Sequence, residues 1–379
     1  MPTSTRIKPG TGVYRRVITG GLLLSACIPV SSFAATWEQS LSLPLSVDYE
    51  SNPRLSETNK QSVRRTQLTP DYSLTATDGN DQFFTKLRLR IERSSDTSIS
   101  SDREDPSIDL GWKHEHETGQ FGLTAHFDKQ STRLSELEDT GQISNDNTRK
   151  SRSLSANWGN ALSERYSLNL DANITKVSFD NAGSGLNDYR NKSVSAQLGY
   201  SLNEQTETFA RLSFSRFEPV STGTTNTKSL DVGATWTISE RFNLSGSVGI
   251  NDTSGASNES GWQAMLDMSY ITARTRSSLG ISRTRAPSSA GVVNESNQLR
   301  AGWTYNLSER NDIGVDLNWR ENLSTNTSQT LRLGANFTHQ LSPAWDLRVS
   351  AQRLNRDDDI SDASSNTVTA TLVYKLTDF

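Results

Sequence analysis

Between Leu299 and Trp319 every second residue is apolar, the pattern stops at a short polar turn, and then it resumes. Leu299, Ala301, Trp303, Tyr305 and Leu307 alternate with Arg300, Gly302, Thr304 and Asn306. After Ser308-Glu309-Arg310-Asn311 come Ile313, Val315, Leu317 and Trp319, alternating with Asp312, Gly314, Asp316 and Asn318. Successive side chains of a strand point to opposite faces, so this stretch predicts a hairpin with one apolar and one polar face. A water-soluble sandwich can alternate as well. What separates the two is that the same rhythm runs through almost the whole chain.

From Trp37 to Leu376 the alternation predicts about 18 strands, beginning with Leu41, Leu43, Leu45, Val47 and Tyr49 and ending with Val368, Ala370, Leu372, Tyr374 and Leu376. Eight tight turns, near Gly79, Gly119, Glu164, Glu204, Glu240, Ala273, Glu309 and Pro343, are interleaved with nine longer polar loops. Three turns share Ser-Glu-Arg, which points to hairpin duplication. An even strand number with short turns at one end and longer loops at the other is the asymmetry of a membrane barrel. After residue 34 nothing approaches the ~20 consecutive apolar residues of a spanning helix. A spanning form must therefore be a closed barrel, because only helices and barrels satisfy every backbone polar group in hydrocarbon. The expected fold is all-β: a single-chain antiparallel transmembrane β-barrel over residues 35–379, with short periplasmic turns and longer extracellular loops.

Composition fits a single apolar layer. Only 33% of the 379 residues are hydrophobic and the mean hydropathy is -0.62, low for a globular chain of this size. Regularly placed aromatics argue against a disordered chain. Trp and Tyr prefer the membrane interface, where the ring is apolar and its polar atom stays wet. Trp158, Tyr200, Trp236, Tyr270 and Trp303 precede tight turns by a few residues and Trp345 follows one, which predicts a girdle at the periplasmic rim. The competing reading is that these rings fill a sandwich core.

Residues 1–34 read as a secretory signal: a basic region ending at Arg15-Arg16, an apolar run from Val17 to Val30, and Ser32 and Ala34 before the expected cleavage after Ala34. Leu24-Ser25-Ala26-Cys27 also resembles a lipoprotein box, which would put a lipid on Cys27, the only cysteine. Cleavage after Ala34 leaves no disulfide, thiolate metal cluster or cysteine nucleophile. It also removes four of the 39 basic residues and none of the 43 acids, so nothing in the charge suggests nucleic acid binding.

Two stretches carry a family resemblance. The amphipathic final strand containing Tyr374 and ending at Phe379 resembles the signature by which outer-membrane proteins are recognised, and it implies the outer-membrane assembly machinery as a partner. Val47-Asp48-Tyr49-Glu50-Ser51-Asn52-Pro53-Arg54-Leu55 resembles the first strand and loop of a family of β-barrel porins associated with exopolysaccharide production and export. The resemblance implies the cell outer membrane, contact with its lipid and lipopolysaccharide, and exopolysaccharide as a candidate solute.

With apolar residues facing lipid, their neighbours line the lumen, and 18 strands enclose an aqueous channel unless loops plug it. The predicted lining includes Lys86, Arg88, Arg90, Asp109 and Lys113 early in the chain and Arg300, Asp316, Arg332 and Arg348 late in it. The middle strands offer Asn173, Ser193, Ser195, Gln197, Asn243, Ser245 and Ser247. Barrel closure brings the early and late charges to one side, opposite a neutral wall. Such a cross-field orients water and tunes passage of charged or hydroxyl-rich solutes; the plainer reading is cross-strand charge pairing that keeps the lumen wet. Phe84 alone stands out as a lumen aromatic, which counts against a greasy slide for sugars. The longest loop, Gln130 to Arg149 with Glu136, Glu138 and Asp139, either folds inward or stays in solvent, and Asp357-Asp358-Asp359 offers a surface for divalent cations.

Enzyme readings find little support. His114 and His116 flank Glu115, but a third metal ligand is not evident, and His126 and His339 are isolated. All four fall toward the expected periplasmic half. No Gly-x-Ser-x-Gly, phosphate loop or His-Glu-x-x-His occurs, and no cofactor is expected. The sequence thus supports an outer-membrane channel with a polar, partly charged lumen, serving exopolysaccharide export or small hydrophilic solutes. The alternative is a plugged barrel acting as a surface receptor, adhesin or assembly partner, and a secreted soluble β-protein is third.

Overall fold

The computed structural model describes residues 35–133, 146–180, 185–256, 258–323, 327–358 and 362–377. The expected signal segment with Cys27 and Ala34, the loop acids Glu136, Glu138 and Asp139, Asp359 and the terminal Phe379 lie outside these residues.

The strands are β1 (Thr36–Glu50), β2 (Val63–Leu68), β3 (Asp71–Asp78), β4 (Asp81–Ser94), β5 (Arg103–His116), β6 (Gly119–Ser131), β7 (Thr148–Ala161), β8 (Tyr166–Phe179), β9 (Tyr189–Asn203) and β10 (Thr206–Pro219). They continue with β11 (Thr225–Ser239), β12 (Phe242–Gly255), β13 (Glu259–Ile271), β14 (Thr275–Pro287), β15 (Val293–Ser308), β16 (Asn311–Leu323), β17 (Thr327–Ser342), β18 (Trp345–Asp358) and β19 (Asp362–Thr377). Neighbours pair antiparallel throughout, and β1 pairs with β19 from Ser40 opposite Thr377 to Glu50 opposite Thr367, which closes the sheet into a barrel.

These 19 segments make 18 staves. β2 and β3 pair β1 in one unbroken register, Leu45 opposite Leu68 and Ser42 opposite Asp71, and both pair β4. The ladder lapses at Thr69-Pro70 because Pro70 has no N–H to donate. The Pro44 carbonyl accepts from the Thr69 amide at 2.9 Å and the Pro70 carbonyl from the Leu89 amide at 3.0 Å, so the stave holds its place across the gap.

Exposure alternates along the staves. On β10, Leu212, Phe214 and Arg216 are exposed, while Arg211, Ser213 and Ser215 are not. Large apolar side chains such as Leu212, Val248 and Ile250 are at least 60% exposed on the outside. So wide an apolar surface is stable only against hydrocarbon.

The expected tight turns all appear between strands; in the first, Gly79 takes φ +56°, a left-handed conformation that glycine adopts without penalty. At the opposite end most of the buried apolar side chains among the described residues sit inside the barrel's mouth. Val177, Phe179, Leu186, Tyr189 and Phe217 form one cluster, with Val293 against it, and Leu55, Leu354 and Ala363 form another. The β14–β15 loop leans over the opening. Its Ser289 carbonyl accepts from the Asn187 amide at 2.7 Å, and its Gly291 carbonyl accepts from the Thr222 hydroxyl at 2.6 Å. This lean has a structural cause: β13 and β14 pair only from Ile271–Arg276 up to Ala264–Arg283. Above that point Arg285 Nη1 donates to the Glu259 carbonyl at 3.2 Å, satisfying one backbone group that the parted strands leave free.

Candidate functional site

The densest polar cluster lies on the inner face toward the loop end. Cross-strand register opposes unlike charges there: Asp48 faces Arg65, Arg90 faces Asp105, and Glu92 faces Arg103. Arg65 Nη2 stands 2.7 Å from Asp48 and 2.6 Å from Glu50. Arg103 Nε donates to Asp105 at 2.8 Å and Arg90 Nη2 to Glu92 at 2.7 Å. Glu92 is only 1% exposed, accepts from the Ser100 hydroxyl at 3.2 Å, and lies 3.6 Å from Arg133. Asp48, Arg65, Glu92, Arg103 and Asp105 have left water, so each depends on its partner; deleting one side of such a pair typically costs about 3–5 kcal/mol.

Arg133 belongs to the loop after β6. Thr132 and Arg133 are buried, so the described start of this loop turns inward rather than into solvent. Its far end is anchored by Asp146, which accepts from the Ser101 amide at 2.7 Å and the Ser131 hydroxyl at 2.5 Å. Burial alone would raise the Asp146 pKa, but those two hydrogen bonds, with Arg133 and Arg103 nearby, hold it below the ordinary aspartate value.

A cavity of about 130 Å³ opens among these groups, lined by Glu50, Arg65, Arg90, Arg133, Arg332 and Gln352. The cavity joins β17 and β18 to β1, β2, β4 and the β6 loop, so these residues face one interior. Four guanidinium groups meet one carboxylate on its lining. The Nε atoms of Arg90, Arg133 and Arg332 are buried without a hydrogen-bond partner. Such planar donors suit the oxygens of an anion.

The predicted lining residues divide accordingly. Arg90 and Arg332 share this cavity. Arg88 pairs with Asp71 at 2.6 Å, Lys113 with Glu115 at 2.6 Å, and Arg348 with Asp346 at 3.6 Å. Arg300 donates to Gln298 at 2.6 Å. Lys86 stands opposite Asp109 in register, and Asp109 lies 2.6 Å from His126 Nδ1. Asp316 leans over Gly334, where a Cβ would sit 2.3 Å from its Oδ1. The nine are thus spread along the interior, and only two converge on the arginine cluster.

Sequence reasoning passed over Asp48, Glu50, Arg65, Arg103 and Arg133. The first four could have been found, since they fall out of phase with the apolar residues of their strands. Arg133, in a loop, has no such signal. The expectation that Phe84 stands alone inside is corrected: Phe179, Tyr189, Phe209 and Phe217 have the inward parity too, and Tyr189 and Phe217 meet edge-on at 5.2 Å. Nor is the opposite wall neutral, because Asp171, Glu207, Arg211, Asp231 and Asp267 share the inward parity of β8, β10, β11 and β13.

Each of the six predicted girdle aromatics lies on the outer-face parity within a few residues of a tight turn. Tyr200 contacts Tyr166 at 5.0 Å between ring centres, Tyr270 contacts Phe242 at 6.5 Å, Trp303 contacts Tyr305 at 5.8 Å, and Trp345 contacts Tyr374 at 5.0 Å. Trp236 is 38% exposed, and Trp158 borders an outer groove. Phe83, Trp112 and Phe121 extend the same band. His114 shares that band, with Nδ1 2.9 Å from Asp81, whereas His126 lies past the midpoint of β6 and not in the periplasmic half as expected. Among the described residues no group of three or more His, Cys, Asp or Glu side chains is placed to hold a metal ion.

Residues 92–359 match the family model described as Gram-negative porin. No curated protein sequence matches the chain. Among solved structures, the fold is similar to three outer-membrane proteins of Pseudomonas aeruginosa. OpdK with vanillate has a TM-score of 0.52 at 10% identity, covering 90% of this chain and 99% of that one. OpdQ has a TM-score of 0.51 at 10% identity and OccK9 (OpdG) one of 0.50 at 10% identity, each covering 90% of this chain and 98% of that one.

Proposed function

The chain belongs to the Gram-negative porin family and resides in the outer membrane, and from that premise we propose that it is a channel for small hydrophilic solutes bearing negative charge. The observation that carries this reading is the meeting of Arg65, Arg90, Arg133 and Arg332 around one interior cavity against the single carboxylate of Glu50. A solute carboxylate or phosphate exchanges water for guanidinium donors there, and the partner acids Asp48 and Glu92 keep the cluster from holding it too tightly to leave. Lys86, Arg88, Asp109, Lys113, Arg300, Asp316 and Arg348 line the approach, and the aromatic band around Trp236 and Trp303 marks the periplasmic lipid boundary.

Passage of exopolysaccharide is the second reading, favoured by the inward hydroxyl and amide groups of β8–β12 such as Asn173, Ser193, Ser195 and Ser245. The loop contacts over the mouth weigh toward smaller solutes. Lipopolysaccharide surrounds the loop end, and the assembly machinery receives the C-terminal strand.

Liposome swelling separates the two readings. Proteoliposomes are expected to swell faster in vanillate or another small organic anion than in a neutral sugar of equal size, and not at all in a polysaccharide fragment of ten or more units. Faster entry of the polysaccharide than of the anion would reverse the order, and no swelling in any solute would remove the channel reading.

A further inference from the structure

Outside the lumen, one quarter of the barrel's outer face departs from the rest. Lys176 on β8 faces Arg152 on β7 and Arg190 on β9, Lys192 on β9 faces Arg216 on β10, and Lys228 on β11 faces Phe214. All six side chains have the parity of the exposed apolar residues below them, and Arg152, Lys176, Arg190, Arg216 and Lys228 are exposed. Neighbouring staves lie ~4.8 Å apart, so these cations form one continuous belt. Glu218 offsets three of them, at 3.2 Å from Lys192, at 2.8 Å from Arg216 and opposite Arg190 in register. Lys176 and Lys228 have no ion-pair partner among the described residues.

The other side of the barrel shows no such excess. From β12 onward the corresponding outward positions carry Asp252, Glu295, Glu321 and Asp357 against Arg283, Arg285 and Arg353, and Glu295 pairs with both Arg283 and Arg285. The belt's height is informative too. Lys176 stands ten residues above Tyr166, the aromatic next to the tight turn. At ~3.3 Å per residue and a tilt of ~40° that places it about 25 Å from the periplasmic aromatics, the thickness of the apolar band and the level of outer-leaflet head groups.

Directly below the belt the apolar surface is hollowed. A groove of about 670 Å³ has Ala156, Ala172 and Ala196 as its floor and Trp158, Leu212 and Phe214 among its walls, with Lys228 at its upper rim. Ala156 and Ala172 face each other in register, so the hollow follows from small side chains on adjoining staves. Its volume lies in the range of small-molecule sites.

We infer that this face of β7–β11 is a seat for a phosphorylated, multiply acylated glycolipid of the outer leaflet. Its phosphates rest on the belt of Arg152, Lys176, Arg190, Lys192, Arg216 and Lys228, and one acyl chain lies in the alanine-floored groove. Head and tail complementarity occur together here, which a diffuse attraction to anionic lipid does not require. The inference rests on the outer-membrane placement and not on what passes through the lumen.

Native mass spectrometry of the detergent-solubilised mature barrel tests it, with bisphosphorylated hexa-acyl lipid A, its dephosphorylated form and phosphatidylglycerol as probes. The parent is expected to retain bisphosphorylated lipid A at least tenfold better than either other lipid, a comparison that needs no variant. The Arg190→Gln/Lys192→Gln/Arg216→Gln protein should lose that preference, Ala172→Trp should weaken retention several-fold, and Arg353→Gln on the far side should leave it unchanged. Equal retention of the three lipids by the parent, or full retention by a triple variant that still shows heat-modifiable gel migration, would overturn the site. Loss of heat-modifiable migration in the parent would instead strike at the barrel's membrane placement.

Discussion

The two walls of the lumen are built from the same alternating strands but handle polarity in opposite ways. From β17 through β1 to β6, charges sit opposite charges and loops press onto them: Leu55 packs on Leu354 and Ala363, and Arg133 lies against Glu92. From β8 to β12 the inward positions are mostly hydroxyls and amides, with Asp171, Arg211 and Asp231 set among them. Water explains the difference. Where loops cover the wall, an ion must find a partner or be neutralised, so the sequence supplies matched acids and bases. Where the wall is open, Ser and Asn are hydrated whether or not they are paired.

The contrast predicts its own failures under mutation, and the largest concerns Glu92. Replacing this 1% exposed carboxylate by Leu removes the acid 2.7 Å from Arg90 and 3.6 Å from Arg133, which is left with Asp146 at 3.7 Å. The folded barrel should lose about 3–5 kcal/mol in urea titrations in lipid vesicles. Ser195→Ala on the open wall should fall within about 0.5 kcal/mol of the parent. Equal effects at the two sites would erase the distinction.

A second effect concerns permeation. Arg90→Gln together with Arg332→Gln removes two of the four guanidinium groups on the arginine cavity. The anion-to-cation permeability ratio, read from reversal potentials in a salt gradient, should fall several-fold. Asn173→Ala with Ser193→Ala on the facing wall should leave that ratio unchanged.

Packing distinguishes the walls less sharply. Gly111 lies under the Phe84 ring, where a Cβ would stand 2.0 Å from the ring edge, and Gly233 lies under Phe209 at 2.5 Å with the Gly246 backbone carbonyl oxygen nearer still, at 2.4 Å. Gly111→Val should cost about 1–3 kcal/mol by overpacking, and Gly233→Val more, because a backbone oxygen cannot turn aside as a ring can. A smaller cost at Gly233 than at Gly111 would show that the open wall yields where the covered one does not.

The smallest expected effect is on acidification. Because Asp146 is held below the ordinary aspartate value, it favours the inward loop at neutral pH, and that contribution is lost only as pH falls below 3.8 through the lowered folded value. Protease protection near Thr132 should therefore persist at pH 5 and weaken below pH 3.8, and it should weaken already at pH 7 in Asp146→Asn.

Most of the architecture was legible from period-2 alternation, because one outward layer must be apolar at nearly every stave. Strand number, the eight tight turns and the aromatic positions beside them all follow from that constraint. The Thr69-Pro70 lapse did not disturb the count, since the same apolar phase runs from Leu68 through Tyr72 and Leu74. The arginine cavity was only half legible. Arg90 and Arg332 stand out by phase, but their meeting depends on barrel closure and on a loop that brings in Arg133, which no local pattern encodes. The aromatics at the mouth were hidden for a related reason. Phe179, Tyr189 and Phe217 lie where the strands rise past the apolar band, and there aromatic character no longer signals lipid.

Single-channel recording of the protein in a planar bilayer tests the central claim most directly. The account predicts stable open-state conductance with anion preference, a preference that shrinks in the Arg90→Gln/Arg332→Gln protein. Insertion with no conductance, or a conducting pore whose preference is untouched by removing both arginines, would contradict it.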